Sequence, residues 1–462
     1  MPPLFRAALR GSLAGPALAL ACALPLAAET LFTPSNDGFA GTVRATAAEP
    51  GAPILAGGRA VIAGQGLIPG QELTLMRGPH VLNDAPVVVD GEGRFRFELA
   101  IDAGAATGLQ PVVVIAEKPA AAMVVEVKIS PDVPLSGAEK FTIASEKVTR
   151  GLYQVAWSPK AGAVFVTSAV GRPPVRESAL SKVDPETLQV VAQVAPPAVE
   201  GDALYAAYGV GVDDAHGHVW VTNTRQDTVA VYRQADLGLV KQFAPGAVAH
   251  ARDVVIDEAR GRAYASATGT GHIEVFDTAT LEQLAPIVIR SRVRGEEFSA
   301  MALDIDPAGG RLVTVSMATP EAAVVDLATG AVRVIPLPGA RSASGVAYDP
   351  EEGLIFVASQ ASDNLLIVEA ETGAVRHDVE TGAGPLNVAF EPRSRLAYVA
   401  NRGSGTITVV DTGGRIVANL DAGNLPNQLR ADGRGHVWAV NKSRGEADPE
   451  GDRVWKITPV SQ

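Results

Sequence analysis

Apolar positions follow two different rhythms along this chain. From about residue 141 onward, short strand-forming runs are set off by turns, and seven of them end in Ser, Asn or Ala. They read VFVTS from Val164, VWVTN from Val219, AYASA from Ala263, LVTVS from Leu312, IFVAS from Ile355, AYVAN from Ala397 and VWAVN from Val437. Their last positions, Ser168, Asn223, Ala267, Ser316, Ser359, Asn401 and Asn441, lie 40 to 55 residues apart. A unit of that length with several short strands cannot bury its own apolar face, and radial stacking of such sheets around a channel solves this. The repeat predicts an all-β chain whose residues 141–462 form a seven-bladed β-propeller.

Within a repeat the order of signals is constant. In the sixth, LNVAFEP, SRLAYVAN, TITVVD and RIVANL read as strands A, B, C and D. Antiparallel strands reverse direction, so the A–B and C–D turns share one face of the disc while the D–A and B–C loops share the other. The first face carries turn chemistry such as Asp306-Pro307 and Asp349-Pro350, with Asp184, Asp277, Asp326, Glu369 and Asp411 at C–D corners. The second face gathers Arg150, Tyr153, Tyr208, His250, Arg252, Arg341, Asn387 and Asn427 before or within strand A, and Arg225, Arg402, Lys442 and Arg444 after strand B. The aromatic column Phe165, Trp220, Tyr264, Phe356, Tyr398 and Trp438 reads as core between blades. The last repeat lacks a fourth strand, and FTIASEKV from Phe141 precedes the first one, so the N-terminal strand is expected to complete the last blade.

The second rhythm is a strict alternation over 39–130, in AVIAGQ, ELTLMRG, RFRFELAI, PVVVIAEK and MVVEVKI. It predicts a small β-sandwich resembling an immunoglobulin-like domain, joined by a Pro-containing linker at 131–140. Residues 1–28 read as a signal peptide, because Arg6 and Arg10 precede an apolar run broken by Pro16 and Pro25. Export to the periplasm and no transmembrane segment in the mature chain are therefore expected. Cys22, the only cysteine, falls inside that segment, and Ala19 and Ala21 do not give the motif for lipid anchoring there.

Composition narrows the chemistry. The net charge is −12 and aromatic residues are 5%, which disfavours a phosphate-backbone track. No nucleophile elbow, HExxH, CxxCH or Gly-rich phosphate loop occurs. No catalytic residue, metal ligand set or cofactor is assigned. The seven histidines are scattered, and DPEGD at 448–452 lacks the glycine and terminal Glu of a calcium loop.

The repeat resembles the YVTN class of β-propeller. VTN at 221–223, YVAN at 398–401 and the corners VDLATG at 325–330 and VEAETG at 368–373 carry the likeness. From Phe141 on, TRGLYQVAWS, LPNQL and the charged loop after Asn441 are similar to bacterial exported YncE-like proteins, whose plain members lack the N-terminal domain. The resemblance implies a binding scaffold and, as one activity, single-stranded DNA binding. A lactonase-like hydrolase is a further alternative, although Asp253 has no evident axial carboxylate partner. The residues themselves favour a monomeric, non-enzymatic scaffold recognising an anionic small molecule or a cell-envelope protein where strand A begins. Its expected ligand-binding groups are Tyr153, Arg252, Arg341, Asn387, Arg402, Asn427 and Lys442, the arginines acting as forked donors to oxyanions.

Overall fold

The computed structural model describes residues 41–117 and 119–460; the expected signal peptide, Cys22 and residues 39 and 40 lie outside the described residues. From residue 141 the chain forms seven four-stranded antiparallel sheets. Their first strands are Leu152–Ser158, Ala207–Asp213, Ala251–Asp257, Ala300–Asp306, Ala343–Asp349, Pro385–Glu391 and Pro426–Ala431. Each first strand touches the first strand of the next sheet, and the first and seventh meet, so the sheets close into a ring with strand A innermost. The protein is a β-propeller, and its sheets are numbered here as blades 1 to 7.

Burial explains why the strands read as they do. Strand B lies between neighbouring blades and is covered on both faces, so Leu354–Ser359 is buried at every position. Outermost strands alternate instead, as in Val375–Glu380. The six aromatic residues of the strand B column are all buried, Trp220, Phe165, Phe356 and Tyr398 completely. At the C–D corners, Asp184, Asp277 and Asp326 each accept backbone N–H groups two and three residues ahead, at 2.8–3.0 Å. Those bonds hold the three carboxyls below their ordinary range and account for the acids as turn formers.

Closure uses both ends of the repeat region. Phe141–Lys147 pairs with Arg453–Pro459 over seven residues, supplying the outer strand of blade 7. Every interblade seam is thus filled, and the ring has no unpaired blade.

Ahead of the ring, two sheets enclose a common core. One holds Thr42–Ala47, Arg59–Gln65 and Phe95–Ala100; the other is built on Glu72–Arg77, Gly108–Ala116 and Ala121–Ile129. Ile62, Leu73, Leu75, Phe95, Val114 and Val127 fill the space between them. The connecting segment is fastened to the ring, since Ser136 and Asn419 exchange two backbone hydrogen bonds at 2.9 and 3.0 Å. No helix among the described residues is long and apolar enough to cross a membrane.

Candidate functional site

All seven innermost strands carry a register shift just after their first residue or two. A bulge at that place re-aims side chains and frees backbone groups that need other partners. Strand B supplies some of them: the hydroxyls of Thr167, Thr222 and Ser266 accept from the N–H groups of Gln154, Gly209 and Asp253 at 3.3, 2.7 and 3.0 Å. The next blade takes others. Side-chain oxygens of Gln154, Asp253, Asn387 and Gln428 accept from Val210, Leu303, Leu429 and Val155 N–H, at 2.9–3.2 Å. The third residue of strand A is therefore a clasp between blades. At Gly209 and Gly345, where the clasp is absent, the blades approach too closely for a side chain, and a Cβ on Gly345 would stand 2.6 Å from the Asn387 Cα.

One residue earlier, the second position of strand A faces the channel mouth. Here Tyr153 and Tyr208, from blades 1 and 2, pack face against face with ring centroids 4.3 Å apart and planes tilted by 37°. The Arg252 guanidinium of blade 3 lies 4.4 Å over the Tyr208 ring, and Lys442 Nζ lies 3.2 Å over the Tyr153 ring. Two groups cannot share one face of a ring at these distances, so the order is Lys442, Tyr153, Tyr208, Arg252. Blade 7 adds Asn427, whose Nδ2 donates to the Tyr153 carbonyl at 2.6 Å while its Oδ1 accepts from Arg402 Nη1. Five of the seven expected binding residues, Tyr153, Arg252, Arg402, Asn427 and Lys442, thus gather at the mouth, together with Tyr208.

The electrostatics of this group are lopsided. Burial, with Arg402, Arg252 and Arg225 nearby, pushes the Lys442 amine down to about 7, and Asp452 opposes the shift. Asp452 is itself engaged, accepting from Gly151 N–H at 2.8 Å. Burial lowers Arg402 as well, and the Tyr208 hydroxyl is raised by burial. None of Arg252, Arg402 and Lys442 has a carboxylate within 4.0 Å among the described residues, and Arg252 Nε is buried without a hydrogen-bond partner. Such an arrangement can hold an oxyanion at low reorganisation cost.

Two expected residues stand elsewhere. Asn387 sits one step down the channel, where its Oδ1 is committed to the Leu429 N–H. Arg341 points outward from the rim, with Nη1 3.7 Å from Glu126 of the N-terminal sheets. Its neighbours explain the placement: Lys128 bonds Asp363 and the Gln360 carbonyl at 2.6 and 2.9 Å, and Thr107 bonds Glu380 at 2.5 Å. With Arg444 donating to the Gly51 carbonyl at 3.3 Å, the N-terminal sheets rest on loops of blades 5 and 7.

The sequence reading missed a second axial carboxylate. A pocket of about 30 Å³ lies at the mouth, where Gln154, Asp253, Asn387 and Gln428 line it together with Tyr208, Arg252 and Asn427, and a second cavity of about 250 Å³ shares Asp253, Asn387 and Gln428 with it. Asp304 lines the larger cavity, accepting from Ile305 and Tyr348 N–H at 3.0 and 2.8 Å, and burial pushes its carboxyl up to about 6 against the pull of Arg430. Asp253 pairs with Arg430 at 3.3 Å. Both carboxylates are taken up by backbone donors or a guanidinium. The signal available in sequence was the fifth position of strand A, where the other six blades carry small or apolar residues or the Arg430 partner itself.

No family model matches the chain, and no curated protein matches it. Solved structures do. Hydrazine synthase of Kuenenia stuttgartiensis is 18% identical, with TM-score 0.52, covering 63% of this chain and 93% of its own. Virginiamycin B lyase of Staphylococcus aureus is 12% identical with TM-score 0.54, covering 69% and 100%. The Cps50 (Swd1) β-propeller domain of Myceliophteria thermophila is 10% identical with TM-score 0.52, covering 69% and 98%. At these identities the likeness establishes the β-propeller fold and nothing about chemistry.

Proposed function

We propose that this β-propeller is an exported, periplasmic binding protein that recognises an anionic small molecule at the channel mouth without catalysing a reaction. The observation that carries this reading is the set of three cations, Arg252, Arg402 and Lys442, gathered from blades 3, 6 and 7 with no carboxylate beside them among the described residues. Leaving the buried Arg252 Nε unmatched costs free energy, and an oxyanion satisfies it.

The single-stranded DNA alternative needs open aromatic faces for bases to stack on. Tyr153 and Tyr208 have theirs covered, by each other and by Lys442 and Arg252. A lactonase-like site needs carboxylates free to take a metal ion, whereas Asp253 and Asp304 are engaged in the channel wall.

Calorimetric titration with a panel of small carboxylates and phosphates tests the reading. At least one compound should bind, and its affinity should fall about tenfold or more in Arg252→Ala and in Arg402→Ala, the loss expected for a charge-assisted hydrogen bond. Arg341→Ala, which touches Glu126, should leave that affinity within about twofold. Unchanged affinity in both mouth variants would place the site elsewhere.

A further inference from the structure

The cations at the mouth are not bunched; they are spaced by the aromatic stack. Lys442 and Arg252 cap its opposite ends, with two tyrosine rings 4.3 Å apart between them. Arg402 joins them through Asn427, which accepts from its Nη1 and donates to the Tyr153 carbonyl. A single carboxylate or phosphate is too small to engage both caps at once. An elongated anion with a charged group at each end matches the spacing, and the ring edges between the caps suit an apolar chain.

We propose, resting on the anion-binding reading above, that the mouth selects a short α,ω-dicarboxylate, one carboxylate on Arg252 and the other on Lys442, with Arg402 bridging. The unpartnered Arg252 Nε supplies a waiting donor at one end. At the other end, binding draws a proton onto Lys442, whose amine is held down to about 7 by burial and by Arg402, Arg252 and Arg225 against Asp452. A carboxylate placed beside it restores the ammonium. Affinity for the dianion therefore weakens as pH rises above about 7, because each bound ligand then requires a proton from solution.

Succinate, acetate and inorganic phosphate, titrated calorimetrically into the full-length protein, separate the possibilities. Succinate should bind at least about tenfold more tightly than acetate, and Arg252→Gln and Lys442→Gln should each remove that advantage while melting within a few degrees of the parent. If Arg252→Gln does not fold, the comparison rests on Lys442→Gln. Succinate affinity should fall by up to about tenfold per pH unit above 7 in the parent and stay nearly level in Lys442→Gln. Succinate and acetate binding within about threefold of each other, phosphate binding tighter than succinate, or a flat pH profile in the parent would each overturn the dicarboxylate assignment while leaving anion binding in place. Failure of succinate to bind would overturn the dicarboxylate assignment, and failure of the whole panel of carboxylates and phosphates would overturn anion binding as well.

Discussion

Two buried titratable groups near the axis give stability an opposed pH dependence. Asp304 is raised to about 6 from an ordinary value of 3.8, so the native state holds more protons between those limits and stability falls as pH rises through them. Lys442 is lowered to about 7 from 10.5, so the unfolded chain holds more protons in that window and stability rises as pH climbs through it. Urea midpoints across pH 4 to 10 should show a fall that Asp304→Asn abolishes and a rise that Lys442→Met abolishes. Away from the axis, Trp220→Ala should cost about 3 to 5 kcal/mol in urea unfolding, since the indole is completely buried against Phe243 and Phe276. The position of Trp220 was legible in the sequence because six blades place an aromatic ring there. That of Asp304 shows only as the one acid at the fifth position of strand A, an exception whose partner and burial the repeat does not reveal.

At the level of the strand, the seven bulges decide which residue of each innermost strand meets a ligand and which binds the next blade. The sequence placed Asn427 and Asn387 alike, as amides near the start of strand A. The structure separates them by one position, and a one-residue change of register turns a side chain to a different surface. Asn427 reaches the mouth and Asn387 becomes a clasp. The legible trace was the column Gln154, Gly209, Asp253, Ala302, Gly345, Asn387 and Gln428, which holds four clasping groups and three small residues. Gly345→Ala should therefore destabilise the protein, because the new Cβ meets backbone at 2.6 Å, whereas Gly330→Ala, with open space around it, should register only the strain of its positive φ. Comparison of the two melting temperatures checks this; a larger loss at Gly330 would contradict the clasp.

Over the whole molecule, the period of about 44 residues already contained the ring, its closure by Phe141–Lys147 and the division into two faces. What the period could not contain is the contact between the N-terminal sheets and the loops of blades 5 and 7, because residues more than 200 positions apart, such as Lys128 and Asp363, share no local pattern. That contact is why Arg341 stands with Glu126 and outside the aromatic stack. Removing residues 453–462 should prevent a stable ring, since it strips the partner of the N-terminal closing strand; circular dichroism and melting would report the loss. The central claim, an anion held by unpaired cations at the mouth, is tested most directly by native mass spectrometry of protein isolated from the compartment where it resides. The parent and Arg341→Gln should carry the same anionic small molecule, and the triple variant Arg252→Gln/Arg402→Gln/Lys442→Gln should carry none. Retention of that molecule by the triple variant, or a carried ligand without negative charge, would contradict the account.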